Sequence, residues 1–191
     1  MIARRAVLAL ILASTPGAAA AAGRLLSATG TVTSGDAQYK PGDALPDSEV
    51  WLASGTATIA IDGGRFLLTG PARMTPRKSY FRLNLGSLLS VLTHRAGRRF
   101  AVRTPSVVAA VRGTDFFVEV GPTRAVDVCI CDGALEVSAK GMKTLPLAAK
   151  HHLNYKFWNT KTETVGQPSP MRGHTDAELD VLRGLLAAEK P

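Results

Sequence analysis

Several motifs that would indicate an enzyme are missing from this sequence of 191 residues. It has no nucleophile elbow, no glycine-rich phosphate loop and no H-E-x-x-H pattern. Carboxylates such as Asp115 and Glu119 are present, but scattered acidic residues are usual in a chain of this size. We therefore predict a protein that is not an enzyme and that uses no cofactor.

Cysteine is also scarce, since Cys129 and Cys131 are the only two. On one strand their side chains are parallel, with β-carbons too far apart for an unstrained disulfide, which needs about 3.8 Å. Two buried thiols, or a thiol that links two chains, are the simpler interpretations. A redox or metal site that uses both sulfurs with Glu136 or a histidine is a minor alternative. We predict no metal, because no four-ligand spacing is visible and adjacent His151 and His152 are expected at the surface, on opposite faces of a strand.

Hydrophobic runs long enough to span a membrane are absent after the first 22 residues. Residues 1–22 combine an arginine pair with an apolar run and small residues, as secretory signal peptides do, and we expect cleavage near residues 20–22. An uncleaved anchor is the alternative, but Pro16-Gly17 interrupts the run. The sequence thus predicts an exported, periplasmic protein that does not span the membrane once processed.

Acidic residues are missing between Gly63 and Thr114, although the whole chain has a formal net charge of +8. The basic residues of this stretch are Arg65, Arg73, Arg77, Lys78, Arg82, Arg95, Arg98, Arg99, Arg103 and Arg112. A one-sided positive field attracts acidic partners, and Arg82, Arg99 and Arg103 are the predicted contacts for an acidic envelope glycan or lipid. Nucleic acid is not expected as a partner outside the cytoplasm. The simpler interpretation is a solvated face.

Helical periodicity is absent from Gly30 to about Ala139, where short runs with a period of two are separated by Gly, Pro and Asp. This pattern predicts an all-β domain of many short strands over residues 23–140. In the segment SYFRLNLG, Phe81 and Leu83 share one face while Arg82 lies on the other, so the basic side chain points outward.

Asp132-Gly133 lies in the segment VDVCICDGALEVSA and predicts a two-residue hairpin turn. That turn would set Ile130 opposite Leu135 and Val128 opposite Val137, with both cysteines on the other face. A corner in a solenoid-like coil is the alternative use of the same dipeptide.

The residue pattern changes after Lys140. Residues 141–173 predict an extension of one or two short strands followed by a Pro- and Gly-rich linker. Residues 174–191 predict an amphipathic helix, because Thr175 and Glu178 form a capping-box pattern and leucines follow at helical spacing. A helix of this length is only marginally stable on its own. We therefore expect it to dock either on its own domain or on a partner.

The segment 104–120, TPSVVAAVRGTDFFVEV, would be about 55 Å long as one strand and must bend. Gly113 is the predicted bend, because a residue without a β-carbon tolerates the required dihedrals. Arg112 is expected beside the bend, with its guanidinium held by carbonyls or a carboxylate, and its predicted role is structural. The strand that follows places Phe116 on the same face as Thr114.

The segment FAVRTPSVVAAVRGTDFFVEV resembles the central motif of the FecR protein domain. The motif residues are Thr104, Pro105, Arg112, Gly113, Thr114 and Phe116. Upstream, GTVTSGDAQYKPGD and TATIAIDGGRFLLTGPARM fit the same order, and VDVCICDGALEVSA fits its end. The resemblance covers roughly Gly30 to Ser138.

This resemblance implies a β-rich extracytoplasmic domain, built as a β-solenoid or a jelly-roll-like sandwich. Such domains occur in sigma-factor regulators that relay the loading state of an outer-membrane receptor. Those regulators carry a helical anti-sigma segment and a membrane helix before the domain, whereas this sequence is more similar to stand-alone FecR-domain proteins with a signal peptide. The implied function is an envelope sensor or adaptor that contacts a protein partner. Binding of acidic glycans or lipopolysaccharide is the alternative.

Overall fold

A computed structural model describes residues 22–61, 63–93 and 100–188, which form fifteen strands and one helix. The elements are β1 (Gly23–Ala28), β2 (Val32–Ser34), β3 (Ala37–Tyr39), β4 (Ala44–Leu45), β5 (Val50–Leu52), β6 (Thr56–Ile61), β7 (Gly64–Pro76), β8 (Tyr80–Leu92), β9 (Phe100–Arg103), β10 (Val108–Val111), β11 (Asp115–Val120), β12 (Val126–Ala139), β13 (Met142–Ala149), β14 (Leu153–Asn159), β15 (Thr164–Pro168) and α1 (Asp176–Ala187). The predicted all-β domain with a short C-terminal helix is confirmed. The described residues contain no helix with the length and apolar character of a membrane span.

Three long strands, β7, β8 and β12, join the two layers of the fold, because their halves pair with different neighbours. In β12, residues 126–132 pair with β11, and residues 133–139 pair with β13 and β10. In β8, residues 86–91 pair with β11, and residues 80–82 pair with β9. Strands that pass from one layer to the other in this way form the corners of β-sandwiches. Nearly every pairing is antiparallel, which favours the sandwich over the solenoid.

The inner face of both layers forms one hydrophobic cluster, here called the inner core. Leu68, Leu88, Val118 and Val128 lie side by side on adjacent strands and all point into it. Its buried members are Leu25, Val32, Leu45, Val50, Leu52, Ala57, Ile59, Ile61, Phe66, Leu68, Ala72, Met74, Phe81, Leu83, Leu88, Val102, Val107, Val111, Phe116, Val118, Val120, Val126, Val128, Ile130, Leu135, Val137, Leu147 and Phe157. The strict alternation in sequence produces this face.

The predicted hairpin at Asp132-Gly133 is wrong, because β12 continues through it. Ile130 pairs with Phe116 of β11, and Leu135 pairs with Val111 of β10. The register shifts between Asp115 and Phe116 of the partner strand, and Gly133 adopts a φ of +108°. This irregularity keeps both apolar halves of β12 on the inner face, so the face assignment was right although the turn was not.

Residues 141–173 contribute three strands to the same sheet, rather than the one or two short strands that the sequence predicts. β13 and β14 both pair with β12, and β15 pairs with β14. The segment after β15 then leads to α1.

Helix α1 begins at the predicted cap, where the Thr175 side chain accepts from the Glu178 amide and the Glu178 carboxylate accepts from the Thr175 amide. The helix docks on its own domain, on the outer face of the layer formed by β7, β8, β11 and β12, which answers the question that the sequence left open. The contact, here called the outer cluster, consists of buried Leu89, Val91, Phe117, Cys129, Cys131, Leu179 and Leu182.

Two predictions concern residues beyond the described part of the chain. The predicted signal peptide lies there except for Ala22, and so does Arg99, one of the predicted anion contacts.

Candidate functional site

The Thr104-Pro105 pair forms the turn between β9 and β10. The Thr104 hydroxyl donates to the Val107 carbonyl (2.9 Å) and accepts from the Val107 amide (3.0 Å). The Thr104 amide also donates to the Val107 carbonyl, at 2.9 Å. Ser106 ties the turn to a neighbouring loop by donating to the Arg124 carbonyl at 2.8 Å. Thr104 therefore holds a four-residue hairpin closed.

The predicted bend at Gly113 is present, with a φ of +60° between β10 and β11. Directly after it, Thr114 is 1% exposed, and its hydroxyl donates to the Ala134 carbonyl at 2.7 Å. Phe116 is fully buried in the inner core. Gly113, Thr114 and Phe116 therefore shape the corner where the chain changes from one layer to the other.

Arg112 is exposed, although it follows the apolar strand β10. It lies beside the bend at Gly113, as expected. Arg112 lies at the wall of a groove of about 480 Å³ that crosses β10, β12 and β13. The groove is lined by Ala110, Val111, Arg112, Ala134, Leu135, Glu136, Pro146, Leu147 and Ala148. Most of these side chains are small and apolar, so they leave the groove open to solvent.

A second surface depression, of about 460 Å³, brings together arginines from three segments. Arg82 of β8 and Arg103 of β9 are register partners, and Arg124 comes from the loop before β12. The guanidinium of Arg103 lies 4.5 Å from the centre of the Tyr80 ring, which orients it. No carboxylate side chain is among the residues that line this depression. The structure thus pairs two of the predicted anion contacts, Arg82 and Arg103, and adds Arg124, which sequence reasoning missed.

Three other basic side chains in the described part of the stretch 63–114, Arg65, Arg73 and Arg77, contact groups within the chain. Arg65 is 1% exposed and donates to the Gly64 carbonyl. Arg77 forms an ion pair with Asp47, and Arg73 forms one with Glu49. Both carboxylates lie on other segments of the chain. These three basic residues of the stretch therefore have partners within the chain.

On the outer face of the layer that carries α1, four side chains meet beneath the start of the helix. They are Cys129, Cys131, His152 and His174, here called the Cys–His cluster. The Cys131 sulfur lies 3.2 Å from His174 Nε2, and the Cys129 sulfur lies 3.7 Å from His152 Nδ1. Both cysteines are buried and free. The two sulfurs share a face of β12, as the sequence predicts, and no disulfide joins them.

The two thiols influence each other strongly. The pKa of Cys129 is lowered, chiefly because the Cys131 side chain hydrogen-bonds to its thiolate, with His174 and His152 adding to the effect against burial. The pKa of Cys131 is raised, because the adjacent Cys129 carries the negative charge and burial disfavours a second one. Cys129 is therefore the more acidic of the two thiols, and both lie in a pocket flanked by two imidazoles.

In each histidine of the cluster, the ring nitrogen that points away from the sulfurs lies next to a hydrogen-bond acceptor. His152 Nε2 lies 2.8 Å from an Asp176 carboxylate oxygen, and His174 Nδ1 lies 3.2 Å from the Arg172 carbonyl. The ring of His174 also stacks on Phe117 at 4.6 Å between centres. The rings are thus positioned by contacts on the side away from the sulfurs.

Ion pairs fasten the same C-terminal segment to the sheet. Arg172 donates to the nearly buried Asp127 of β12, and Arg183 of α1 donates to Asp115 of β11 at 2.7 Å. The helix and the segment before it are therefore attached by polar contacts on both sides of the outer cluster.

His174 was not predicted as a site residue, and His152 was expected at the surface. More than twenty residues separate each of them from the next part of the cluster, so no local motif connects them. The alternating pattern around Cys129 and Cys131 was the one available signal, since it places both sulfurs on one face.

Comparison with known proteins gives a family and a fold. The family model described as FecR protein matches residues 31–136. No curated protein matches the chain. The chain resembles two crystal structures, at 1.65 Å and 2.50 Å resolution, of a protein from Parabacteroides distasonis ATCC 8503 that is provisionally assigned as an anti-sigma factor. The TM-scores are 0.55 and 0.54, each at 17% identity. The match spans 64% of this chain and 60% of theirs, and at this identity it shows a shared fold.

Proposed function

This chain belongs to the FecR protein family, and on that premise we propose that it is a regulatory β-domain that acts as a sensor or adaptor through protein contacts. The proposal extends to export into the periplasm and to a role without catalysis. A protein partner in the cell envelope is part of the same proposal, and the structural likeness to a provisionally assigned anti-sigma factor is consistent with a signalling role.

The observation that carries the proposal is that the residues of the Arg-Gly-Thr motif differ in burial. Thr114 and Phe116 are buried and hold the corner, whereas Arg112 is exposed at the wall of an open groove. Within one motif, the corner therefore sets the position of a cationic side chain beside a mostly apolar surface. Arginine is enriched at protein interfaces and among the residues that contribute most to binding.

The shape of the groove favours an extended segment of the partner as its occupant. β13 forms one side of the groove and, among the described strands, pairs only with β12. An exposed strand edge accepts a further strand by backbone hydrogen bonds, while pockets beside it select side chains. Pro146 in β13 lacks an amide hydrogen, which restricts how such a strand can add.

Photo-crosslinking in the native host tests this proposal. A photoreactive amino acid replaces Ala148, which lines the groove, and in a separate strain replaces Lys161, an exposed residue outside it. We expect one discrete protein adduct from position 148 that is weaker or absent from position 161. Equal adducts from both positions, or none from position 148, contradict the groove as the contact surface.

A charge reversal sharpens this test. Arg112→Glu is expected to reduce the adduct from position 148, whereas Arg24→Glu, which changes an exposed arginine on β1, leaves it unchanged. Circular dichroism of both variants confirms that they fold. An undiminished adduct in Arg112→Glu shows that the motif arginine takes no part in the contact.

The three-arginine depression supports a second candidate function, the binding of an acidic envelope glycan or lipopolysaccharide. Arg82, Arg103 and Arg124 converge there without a lining carboxylate. A multivalent anion would displace counterions from this surface, so its affinity would fall steeply with salt.

Binding to purified lipopolysaccharide at low and physiological salt tests the second candidate. We expect the double variant R82S/R103S to lose most of the binding and Lys143→Ser, which removes an exposed charge on β13, to retain it. Equal losses in both variants indicate nonspecific charge attraction and contradict a site in the depression.

A further inference from the structure

We propose that Cys129, Cys131, His152 and His174 form a tetrahedral zinc(II) site that fastens the C-terminal helix to the β-domain. The proposal is independent of the groove and of the partner proposed above. It is carried by four observations: the donor set, the spacing of the donor atoms, the acceptors behind both histidines and the burial of the site.

The donor set is the one that zinc(II) selects. Two thiolates and two imidazoles in a single cluster make up a Cys₂His₂ set, which structural zinc sites use with tetrahedral geometry. Each of the four side chains offers one donor atom, and all four atoms lie within 4.8 Å of one another.

The spacing is close to what one ion requires. With zinc–sulfur bonds of about 2.3 Å and zinc–nitrogen bonds of about 2.0 Å, donor atoms of a tetrahedral site are roughly 3.3–3.8 Å apart. The two sulfur–nitrogen distances, 3.2 Å for Cys131 with His174 and 3.7 Å for Cys129 with His152, lie within a few tenths of an ångström of the roughly 3.5 Å expected for a sulfur–nitrogen pair. Small side-chain rotations therefore suffice to place the four atoms around a common centre.

The acceptors behind the histidines set the tautomers that a metal needs. When His152 Nε2–H donates to Asp176 and His174 Nδ1–H donates to the Arg172 carbonyl, the lone pairs of His152 Nδ1 and His174 Nε2 face the sulfurs. Zinc-bound histidines almost always donate their other ring N–H to a carboxylate or a backbone carbonyl. This cluster provides one partner of each kind.

The backbone contributes to the placement of His152. Its φ of +21° lies at the border of the left-handed region, which a residue with a β-carbon adopts at some cost. His152 lies between β13 and β14, at the position from which its ring reaches Cys129. The unfavourable conformation thus coincides with the residue whose ring completes the cluster.

The burial of the site indicates a structural ion rather than a catalytic one. Cys129, Cys131 and His174 are buried, and the His152 side chain is 9% exposed. Four protein ligands leave no coordination position for a substrate, which is the arrangement of closed zinc sites. The ligands come from β12, from the turn before β14 and from the segment that leads into α1, so one ion would join three segments.

An alternative group lies beside the cluster, formed by His151, His152 and Asp176. It is largely exposed and contains three donors, and its use of His152 Nε2 would break the hydrogen bond to Asp176. We therefore assign the ion to the Cys–His cluster, and the role of His151 separates the two sites in the experiment.

The test uses the full chain, purified with a reductant that does not bind zinc, so that both thiols remain reduced. We expect one zinc ion per chain by mass spectrometry of the metal, release by a chelator, and stoichiometric rebinding. Cobalt(II) in place of zinc should give thiolate-to-cobalt charge-transfer bands and the strong visible bands of tetrahedral coordination. A chain that retains no zinc and gives only octahedral cobalt spectra overturns the proposal.

Variants identify the ligands. Cys131→Ser and His174→Gln should lose stoichiometric binding, and Asp176→Asn should weaken it by roughly 10–100-fold through the orientation of His152. His151→Gln is the matched control and should bind zinc like the unchanged chain. Loss of binding in His151→Gln together with full binding in Cys131→Ser would place the ion in the exposed group and overturn the assignment.

A readout at the helix separates a structural ion from adventitious binding. Amide exchange in residues 176–187 should slow on zinc addition, because His174 precedes the helix and would be fixed to β12. Exchange in β10, which pairs with β9 and with the half of β12 that lies away from the cluster, provides the internal reference. Zinc that binds without slowing exchange in α1 contradicts the fastening role.

Discussion

The inner core and the outer cluster are built from alternate residues of the same strands, yet they are held together differently. Phe116 and Phe117 are neighbours in β11, and the first points into the inner core while the second contacts α1. In β12, Ile130 belongs to the inner core while Cys129 and Cys131 belong to the outer cluster. The inner core is aliphatic and aromatic, and it is continuous across both layers.

The outer cluster is small and depends on specific partners. It contains two thiols, and around it lie two histidines and the ion pairs of Arg172 and Arg183. Burial of apolar area is nondirectional, so a large core tolerates small adjustments, whereas thiol, imidazole and carboxylate contacts depend on distance and protonation. The β-sandwich therefore supplies stability, whereas the attachment of α1 depends on the distances and protonation states of its polar contacts.

The largest expected effect breaks the inner core. Phe116→Ala should lower the free energy of unfolding by about 3–5 kcal/mol, because the ring is fully buried and the surrounding strands cannot collapse onto the space. Urea denaturation measures the change. Phe116→Leu is the milder control, with an expected loss of a smaller size. A loss of less than about 1 kcal/mol in Phe116→Ala would contradict the importance of the inner core.

A smaller effect is expected from the outer cluster. Leu182→Ala should cost about 2 kcal/mol, the low end for a buried leucine, because α1 can detach before the sandwich unfolds. Amide exchange should increase in α1 and stay unchanged in β10, which pairs with β9 and with the other half of β12. Val181→Ala changes a side chain that is 63% exposed and should have no measurable effect. Equal acceleration in α1 and β10 would show that the two regions unfold as one unit.

The corner of the Arg-Gly-Thr motif should contribute about as much as one hydrogen bond. Thr114→Val keeps the shape of the side chain and removes the donor to the Ala134 carbonyl, with an expected loss of about 1 kcal/mol. Thr114→Ser, which keeps the hydroxyl, should retain more of the stability. If Val and Ser behave alike in urea denaturation, the hydrogen bond is not what holds the corner.

The smallest effect concerns the ion pair between Arg183 and Asp115. Burial raises the pKa of Asp115, and the Arg183 guanidinium partly offsets this. Arg183→Gln removes the offset, so the pKa of Asp115 should rise further, with a stability loss of up to about 1 kcal/mol near neutral pH.

The sign of the pH dependence follows from that shift. A carboxyl with a higher pKa in the folded state binds more protons when folded, so stability decreases as pH rises from about 4 to the folded pKa. Urea denaturation across this range should show a steeper decrease in Arg183→Gln than in the unchanged chain. Asp180→Asn, which removes the exposed partner of Arg183, is the control and should leave the profile nearly unchanged. Parallel profiles for Arg183→Gln and the unchanged chain would contradict the coupling.

Local patterns were sufficient for much of the fold. The alternation around Phe116 and Phe117 predicted that their side chains lie on opposite faces of the strand, and the Thr175–Glu178 pattern located the start of α1. The bend at Gly113 was predictable because seventeen extended residues exceed the length of a strand. Asp132-Gly133 misled, since a dipeptide that favours a turn in isolation lies within a strand that has hydrogen-bonded neighbours on both sides.

The sequence by itself determined the faces of the strands, the bend at Gly113, the helix and its cap, because each depends on residues within a few positions of one another. Only the tertiary structure decided where α1 docks and that Cys129, Cys131, His152 and His174 meet. Their meeting closes two chain segments of about twenty residues each, and it depends on β13, β14 and the C-terminal segment all returning to β12. Contacts of that kind follow from the packing of the whole sheet, which no local spacing encodes.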